Sequence, residues 1–438
     1  MTHAAAAAAL PENSLATTPP VRLINLPRAH AVMHDEGLAA LVATTHRNLY
    51  YASGHMPDSV LGDFQDLTAA AIVPAGEAFA PKLVASDYDL AYLVTRPTWM
   101  PDLRMYGAKE RSSAGFLLEV LSRGIGIETA LREPLRALYR STRASLEPDI
   151  YGALTRALAD SMPGGKVRVG FDDLRVGAEV RRRLGDRIEV VDALHHFRKI
   201  RMVKTEGELA LLRKAAAIND VAVLEAAAAA TAGRPLSAMV DAYRLAMVRQ
   251  GGTFLGQRGM MFGAGPDGGF VLDNRWAEAK ILADGDVVVF DCCGKYELYH
   301  CDTARTGIVG RPSARLSELH AVVREALAAA EARLRPGVNT EELKAIAADI
   351  LSRNGLNLGL TTLAWHNVGL DVVEYAHPSE RSKGWIVEPS MVMNFELFHR
   401  DPDIGGVHLE DSVNVTAGGL EYLSALPREV LVTGGARA

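Results

Sequence analysis

One stretch decides the fold of this 438-residue chain: Asp286-Val-Val-Val-Phe-Asp-Cys-Cys-Gly-Lys-Tyr-Glu-Leu-Tyr-His-Cys-Asp-Thr-Ala-Arg-Thr306. An apolar run rich in β-branched residues ends at Asp291, breaks at Gly294 to Tyr296, and resumes as an aromatic run that carries Asp302. This pattern predicts a β-hairpin with the two carboxylates near each other on adjacent strands. Because an unpaired carboxylate in an apolar setting would protonate or destabilise the fold, its charge must be offset, and a metal ion would do so.

Three later positions could complete a metal site. They lie inside or beside short apolar segments: His366 in Trp-His-Asn-Val-Gly-Leu, Glu396 in Met-Asn-Phe-Glu-Leu, and Glu410 in Gly-Val-His-Leu-Glu-Asp-Ser-Val. Two Asp, two Glu and one His form a set rich in oxygen, with one nitrogen. Such a set suits a pair of Mn, Fe or Co ions, or Zn, bridged by carboxylates and a water, more than a thiolate zinc site.

Composition narrows the class of protein. The formal net charge is -6, and the chain has no Lys/Arg block of the kind that marks a nucleic-acid surface, so a small-molecule substrate is the better expectation. Its three cysteines all fall in the central hairpin, which predicts a reducing, cytoplasmic location rather than a disulfide framework. No uninterrupted apolar stretch reaches the roughly 18 to 20 residues of a membrane span.

The N-terminal half predicts an α/β domain of the doubly wound type, over residues 21–198, after a disordered tail at residues 1–20. Strands and helices alternate along it, and it has no phosphate-binding Gly-x-Gly-x-x-Gly motif. The helices are predicted at Leu26 to Glu36, Phe116 to Ser122 and Ile150 to Leu158, and the strands at Leu38 to Thr44, Asn48 to Gly54, Thr68 to Val73, Lys82 to Ala85, Val167 to Phe171 and Ile188 to Val191. Its role is expected to be structural or substrate-capping.

The C-terminal half, residues 199–438, predicts a duplicated α+β unit. The segment His195 to Lys204 is predicted to join the two halves of the chain. Thr205 and Glu208 have the spacing of a capping box, which predicts the start of a long helix that ends at about Ala230. Further helices are predicted at Leu236 to Arg249, at Ser313 to Leu334 and after Asn339. Strands that carry the candidate ligands follow each helix pair, which gives an internal two-fold pattern.

Several motifs of this half resemble the creatinase, prolidase and methionine aminopeptidase family, the "pita-bread" metalloenzymes. The similarity covers roughly residues 195–420, with a weaker one to the creatinase-type N-terminal domain. The motifs agree in order and spacing: Lys204-Thr-Glu-Gly-Glu-Leu, Val289-Phe-Asp291, His300-Cys-Asp302-Thr-Ala-Arg-Thr306, His366-Asn-Val-Gly-Leu370 and Gly406-Val-His-Leu-Glu-Asp411. The resemblance implies an α/β N-terminal domain, an α+β pita-bread domain, a homodimer and a dinuclear site.

The ligands that the resemblance implies are Asp291, Asp302, His366, Glu396 and Glu410. Two family histidines are absent from this sequence. Peptidases of the family place one histidine ahead of the first aspartate, where this chain has Phe270 to Arg275, and another after the Gly-Leu, where this chain has Val373. Glu396 is also followed by Leu-Phe rather than by the usual Pro-Gly. Metal binding is therefore expected to be kept while the surroundings that support peptide cleavage are changed.

The resemblance leaves three functions open. The first is a hydrolase that acts on a C–N bond of a small polar or zwitterionic substrate, such as a dipeptide or an amidine, with Glu396 relaying the proton. The second is similar to the related dimethylsulfoniopropionate lyase, in which Asp371 or Glu374 would remove a proton. The third is a binding module without catalysis, which retention of all five ligand positions disfavours.

Three further side chains share a strand face with the implied ligands, because alternate residues of a strand point the same way. His408 lies two residues before Glu410, and substrate binding, proton transfer or a structural hydrogen bond are all open to it. Cys293 lies two residues after Asp291, and His300 lies two residues before Asp302, so either could line the site. A packed free cysteine is the commoner outcome, since buried Cys behaves as a small hydrophobe.

Overall fold

The computed structural model describes residues 22–57, 67–107, 129–143, 145–162, 164–254, 260–269 and 279–433. The chain divides into two compact units, Met1–Leu194 and His195–Ala438. Three segments that the sequence singled out lie outside the described residues: the predicted tail 1–20, the predicted helix at 116–122 and the stretch 270–275. Within the described ranges, every helix is too short or too polar to span a membrane.

Unit 1 is an α/β fold built on one six-stranded sheet. Its elements, in chain order, are α1 Leu26–Asp35, β1 Ala40–Ala43, α2 His46–Ser53, β2 Ala70–Pro74, β3 Lys82–Ser86, α3 Leu90–Thr95, β4 Asp102–Tyr106, α4 Thr129–Arg143, α5 Ile150–Ala159, β5 Val167–Phe171, α6 Leu174–Leu184 and β6 Ile188–Asp192. The strand order is β4-β3-β2-β1-β5-β6. The pairs β3/β4, β1/β5 and β5/β6 are parallel, whereas β1/β2 and β2/β3 are antiparallel. The sheet is therefore mixed rather than purely parallel.

The predicted strand at Asn48 to Gly54 is wrong, because these residues form α2. Thr45 precedes the helix in an extended conformation, and Gly54 ends it with a left-handed φ of 69°. Every residue from Asn48 to Ser53 is buried, so the segment shows no polar face. A short apolar run of this kind is compatible with a buried strand or a buried helix, and periodicity alone cannot separate the two.

Unit 2 follows the predicted order of helix pair, strands, helix pair, strands. Helix α7 Leu194–Arg201 spans the division between the units, and the remaining helices are α8 Glu206–Ala229, α9 Ser237–Arg249, α10 Ala314–Glu331, α11 Thr340–Arg353 and the short α12 Glu380–Lys383. The strands are β7 Thr253–Phe254, β8 Met260–Ala264, β9 Val287–Cys292, β10 Gly294–Tyr296, β11 Tyr299–His300, β12 Thr303–Val309, β13 Thr361–Asn367, β14 Val392–Asp401, β15 Gly405–Leu409, β16 Ser412–Thr416, β17 Gly419–Tyr422 and β18 Leu431–Thr433. The predicted capping box is confirmed at the start of α8.

Two sheets of unit 2 carry the candidate residues. One has the strand order β18-β12-β9-β8, and the other has the order β13-β14-β16-β17, with β15 paired to β14. An isolated antiparallel bridge joins Ala304 of the first sheet to Glu410, directly after β15. Helices α8 and α9 enclose one hydrophobic core with β9, and α10 and α11 enclose another with β13 and β14. The candidate residues therefore lie where the two sheets meet.

The predicted central hairpin is confirmed, but its turn lies later than expected. Strands β9 and β12 pair antiparallel, with Asp291 opposite Ala304. Gly294 to Tyr296, the expected break, form strand β10, which pairs with β11 and β7 in a separate small sheet. The chain reverses at Glu297 and Leu298, whose φ angles of 49° and 73° are left-handed. The sequence does not reveal this turn, because Glu and Leu rarely adopt a left-handed conformation.

Candidate metal centre

Buried strand ends bring four of the five implied ligands together. Asp291 lies near the end of β9, and Asp302 immediately precedes β12 on the antiparallel partner strand. Glu410 reaches them through its bridge to Ala304, with N···O distances of 3.1 and 3.2 Å. His366 lies on β13. These side chains are almost fully buried, at 2–5% exposure.

The donor atoms of these residues, together with the sulfur of Cys293, form two groups that share Asp302. One group contains Asp302, His366 and Glu410, and the other contains Asp291, Cys293 and Asp302; within each group all ligand atoms lie within 4.8 Å of one another. We call Asp291, Asp302, His366 and Glu410 the acidic cluster. A carboxylate shared by two groups of donors is the arrangement that can bridge two metal ions.

The orientation of His366 fits a metal ligand. Its Nδ1 lies 3.1 Å from the carbonyl oxygen of Asn367, which can only accept a hydrogen bond, so Nδ1 carries a proton. Its Nε2 lies 3.2 Å from Glu410 Oε1 and 3.7 Å from Asp302 Oδ2. A backbone carbonyl on one ring nitrogen commonly orients the other nitrogen toward a metal.

Electrostatics also fit a cation at the acidic cluster. Burial and the neighbouring carboxylates of Glu410 and Asp291 raise the pKa of Asp302 well above its usual value. Burial alone would raise the pKa of Glu410, but its hydrogen bond with His366 and the charge of that ring lower it overall. Like charges crowded in a buried space favour protonation unless a cation is bound. The donor set, rich in oxygen with one imidazole, therefore fits divalent metal ions.

Glu396 and His408 lie beside the acidic cluster. Glu396 lies on β14, opposite Ala364 of β13. Its side chain is 27% exposed. His408 Nε2 lies 3.8 Å from Glu396 Oε1 and 3.9 Å from Glu410 Oε2. Among the described residues neither ring nitrogen of His408 has a hydrogen-bond partner, although the side chain is fully buried. Burial and the charge of Glu410 raise the pKa of Glu396 to about 7.

The two candidate bases, Asp371 and Glu374, lie against positively charged side chains and outside the acidic cluster. Glu374 Oε1 accepts from Arg201 Nη2 at 2.5 Å, and its Oε2 accepts from Lys204 Nζ at 2.8 Å. Asp371 also accepts a hydrogen bond from Arg201. We call Arg201, Lys204, Asp371 and Glu374 the ion-pair network. Burial would raise the pKa of Glu374, but the charges of Arg201 and Lys204 lower it to about 2.

Sequence reasoning missed the residues that hold the acidic cluster in place. Asn394 Nδ2 donates to Glu410 Oε1 at 3.1 Å and to the carbonyl oxygen of Asp302 at 2.9 Å. Ser412 Oγ donates to the same carbonyl at 3.0 Å, and Arg305 Nη1 donates to the carbonyl oxygen of Glu410 at 2.8 Å. Asn394 and Ser412 lie two residues from Glu396 and Glu410, so the strand period would have pointed to them.

Comparison with known proteins gives the family. Residues 210–417 match Metallopeptidase family M24. Over these residues the chain is similar to the creatinase/prolidase pita-bread family. The Xaa-Pro dipeptidase of Pyrococcus horikoshii is 30% identical over 238 residues, which are 54% of this chain and 66% of that protein, just under two thirds of its length. The probable dipeptidase PepE of Mycobacterium tuberculosis is 26% identical over 405 residues, 92% of this chain and 94% of that protein.

Solved structures of this family share the fold of the chain. The prolidase of Pyrococcus horikoshii superposes with a TM-score of 0.67 at 20% identity, over 93% of this chain and 99% of that one. Dipeptidase PepE from Mycobacterium ulcerans gives a TM-score of 0.63 at 24% identity, over 93% and 96%. The predicted architecture, an α/β N-terminal domain and a pita-bread C-terminal domain, is confirmed. The relatives and solved structures that match are named as dipeptidases and a prolidase.

Proposed function

We propose that this protein is a hydrolase with a dinuclear metal centre that cleaves a C–N bond in a small polar or zwitterionic substrate. Dipeptides are the first class to test, and amidine-like zwitterions are the second. One observation carries the proposal: the buried donor atoms of Asp302, His366 and Glu410 lie within 4.8 Å of one another, and Asp302 also belongs to the group with Asp291. The names of the relatives support a dipeptide substrate.

The proposed ligands are Asp291, Asp302, His366, Glu396 and Glu410. Glu396 is the member that neither compact group includes, so metal binding would have to bring its carboxylate closer. When bound, divalent ions supply Lewis-acid chemistry, which polarises the scissile group and makes water acidic enough to react near neutral pH. Mn, Fe and Co suit the donor set, and Zn is an alternative.

Glu396 and His408 are the residues proposed to act on the substrate. Glu396 is the more exposed of the carboxylates, at 27% of its side chain, so it can meet both the buried cluster and an incoming molecule. We assign it the transfer of the proton to the leaving nitrogen. His408 has unpartnered ring nitrogens among the described residues and lies 3.8 Å from Glu396, so it is placed to hold a polar group of the substrate.

The lyase alternative is weakened by the ion-pair network. It requires Asp371 or Glu374 to accept a proton from the substrate, but Glu374 is buried between Arg201 and Lys204, and Asp371 binds Arg201. A carboxylate whose pKa is held near 2 is a poor base at neutral pH. We therefore propose that both residues shape the loop after His366 rather than remove a proton.

Activity on defined substrates tests the proposal. Chelator-treated protein would be reloaded with Mn²⁺, Co²⁺, Fe²⁺ or Zn²⁺ and assayed for release of free amino acid from Xaa-Pro dipeptides, other dipeptides and amidine-like zwitterions. We expect turnover that depends on the metal and is lost in Asp302→Ala but kept in Asp349→Ala, a helix-surface control whose side chain is 51% exposed.

Two results would contradict the proposal. Turnover that survives in Asp302→Ala would remove the acidic cluster from the reaction. Full metal occupancy without turnover on any of these substrate classes would favour the lyase or the binding module without catalysis. Ligand binding that is retained in Asp302→Ala would then identify the binding module.

We propose a homodimer with a small-molecule substrate and a cytoplasmic location, without nucleic-acid or membrane partners. The absence of a Lys/Arg block in the sequence supports the exclusion of nucleic acid. Light scattering coupled to size-exclusion chromatography would give the oligomeric state, and a mass near that of one 47.1 kDa chain would contradict the dimer.

A further inference from the structure

Cys293 touches the acidic cluster directly. Its Sγ donates a hydrogen bond to Asp302 Oδ1 at 3.1 Å, and this sulfur, a carboxylate oxygen of Asp302 and one of Asp291 all lie within 4.8 Å of one another. Cys293 is 9% exposed and the two carboxylates are 4–5% exposed. A thiol enclosed with two carboxylates is a set of donor atoms for a metal, whereas a cysteine that only fills space would be expected among apolar side chains.

The other two cysteines, Cys292 and Cys301, pack in hydrophobic clusters instead. Cys292 points to the opposite face of the strand and is fully buried in the hydrophobic core beside Val288 and Phe290. Cys301 packs against Ala215 and Ala216, and its Sγ lies 3.4 Å from the carbonyl oxygen of Gly294. Of the three, Cys293 is the one whose sulfur shares a group with metal-binding oxygens.

We propose that Cys293 is a metal ligand, which with Asp291 and Asp302 forms a sulfur-containing half of the dinuclear centre. This inference rests on the metal centre of the proposed function. Metal–sulfur and metal–oxygen bonds of about 2.3 and 2.1 Å place two neighbouring donors about 3.1 Å apart at a right angle and about 3.6 Å apart at a tetrahedral angle. The distance of 3.1 Å between Cys293 Sγ and Asp302 Oδ1 matches the right-angle spacing.

A sulfur ligand makes the two halves of the centre chemically unequal. The half with His366 and Glu410 offers oxygen and one nitrogen, while the half with Cys293 offers oxygen and one thiolate. Binding breaks the S–H bond, and the proton leaves to solvent as the metal–sulfur bond forms, so no oxidant or reductant is needed. Thiolate favours Zn²⁺, Co²⁺ and Fe²⁺ over Mn²⁺. The half with Cys293 would therefore select these softer ions.

Cobalt titration tests the proposal through a signal that does not depend on turnover. Metal-free protein, Cys293→Ser and the matched control Cys301→Ser would each be titrated with Co²⁺ while absorption is followed in the visible and near-ultraviolet. We expect a sulfur-to-cobalt charge-transfer band in the wild type and in Cys301→Ser, and its loss in Cys293→Ser. The visible ligand-field bands of cobalt in the other half should persist in Cys293→Ser. Cys293→Ala is the second variant if the serine variant fails to fold.

Metal selectivity gives an independent readout. In competition between Zn²⁺ and Mn²⁺, we expect the preference for Zn²⁺ to fall at least about tenfold in Cys293→Ser and to stay unchanged in Cys301→Ser. Two bound cobalt ions without a charge-transfer band in the wild type would overturn the role of Cys293 and leave the proposed hydrolase standing. No cobalt binding in any protein would overturn both. A band that survives in Cys293→Ser and Cys293→Ala would also contradict the assignment.

Discussion

Two buried clusters of charge lie close together in unit 2, and they differ in how that charge is compensated. The acidic cluster contains three carboxylates, two of which, Asp302 and Glu410, lie against the imidazole of His366. The ion-pair network places two carboxylates against the guanidinium of Arg201 and the ammonium of Lys204. An isolated antiparallel bridge joins Asn367 to Glu374. It connects the two clusters, because Asn367 follows His366 in the sequence and Glu374 belongs to the ion-pair network.

The difference shows in the carboxylates themselves. Burial and neighbouring carboxylates raise the pKa of Asp302, whereas in Glu374 the charges of Arg201 and Lys204 outweigh burial and lower the pKa to about 2. Side-chain cations stabilise the ion-pair network in the folded protein. The acidic cluster instead crowds like charges in a buried space, an arrangement that favours a bound cation. Burial alone thus does not mark a functional acid, and the nature of its partner does.

The largest expected effect follows from breaking the ion-pair network. Glu374→Gln keeps the shape of the side chain but leaves Lys204, which is 4% exposed, without its carboxylate. We expect the free energy of unfolding to fall by about 3–5 kcal/mol, the usual cost of leaving a buried charge unpaired. Urea unfolding at pH 7 measures it. The control Asp349→Asn, in a surface pair with Arg353, should change it by only about 0.3–0.5 kcal/mol. Equal losses would contradict the comparison.

Acid should remove the same stabilisation. The pKa of Glu374 is about 2 in the folded protein and 4.5 ordinarily, so its ion pairs contribute stability above pH 4.5 that is lost as the pH falls toward 2. We expect the difference in unfolding free energy between wild type and Glu374→Gln to shrink by about 2 kcal/mol between pH 7 and pH 3. Unfolding curves at both pH values measure this difference. A difference that does not change with pH would show that Glu374 is not stabilised as the carboxylate.

The smallest effect is expected in the acidic cluster, with the opposite sign. Asp302→Asn removes one carboxylate from the crowded group, so chelator-treated protein at pH 8 should gain about 0.5–2 kcal/mol in unfolding free energy. The wild type should instead gain stability from added metal, about 2.7 kcal/mol at a hundredfold excess over Kd, and the variant should not. Asp349→Asn serves again as the control. A loss of stability in metal-free Asp302→Asn would mean that Asp302 has a structural role.

Much of the fold follows from the sequence, because long periodic segments and end signals act locally. The capping box of Thr205 and Glu208 and the helix after Asn339 are such signals, and both helices are confirmed. The helix at Asn48 to Ser53 could not be recognised, because a fully buried segment loses the polar face that distinguishes helix from strand.

The candidate site was predictable in part for the same reason. The hairpin pattern predicts that Asp291 and Asp302 lie near each other, and the resemblance of the later motifs to the family implies His366 and Glu410 as further ligands. Neither Arg201 nor Lys204 could be paired with Glu374 from sequence, since about 170 residues separate them and only the folded chain brings them into contact. The contact of Cys293 with Asp302 likewise needs the exact register of the hairpin.

The most direct test of the metal centre is the metal content of the protein. Elemental analysis would be carried out on wild type, Asp302→Ala and Asp349→Ala, each purified without chelator and again after reloading with Mn²⁺, Co²⁺, Fe²⁺ or Zn²⁺. The account predicts about two ions per chain in the wild type and in Asp349→Ala, and their loss in Asp302→Ala, because Asp302 belongs to both groups of donors. No metal in any of the three proteins, even after reloading, would contradict the metal centre.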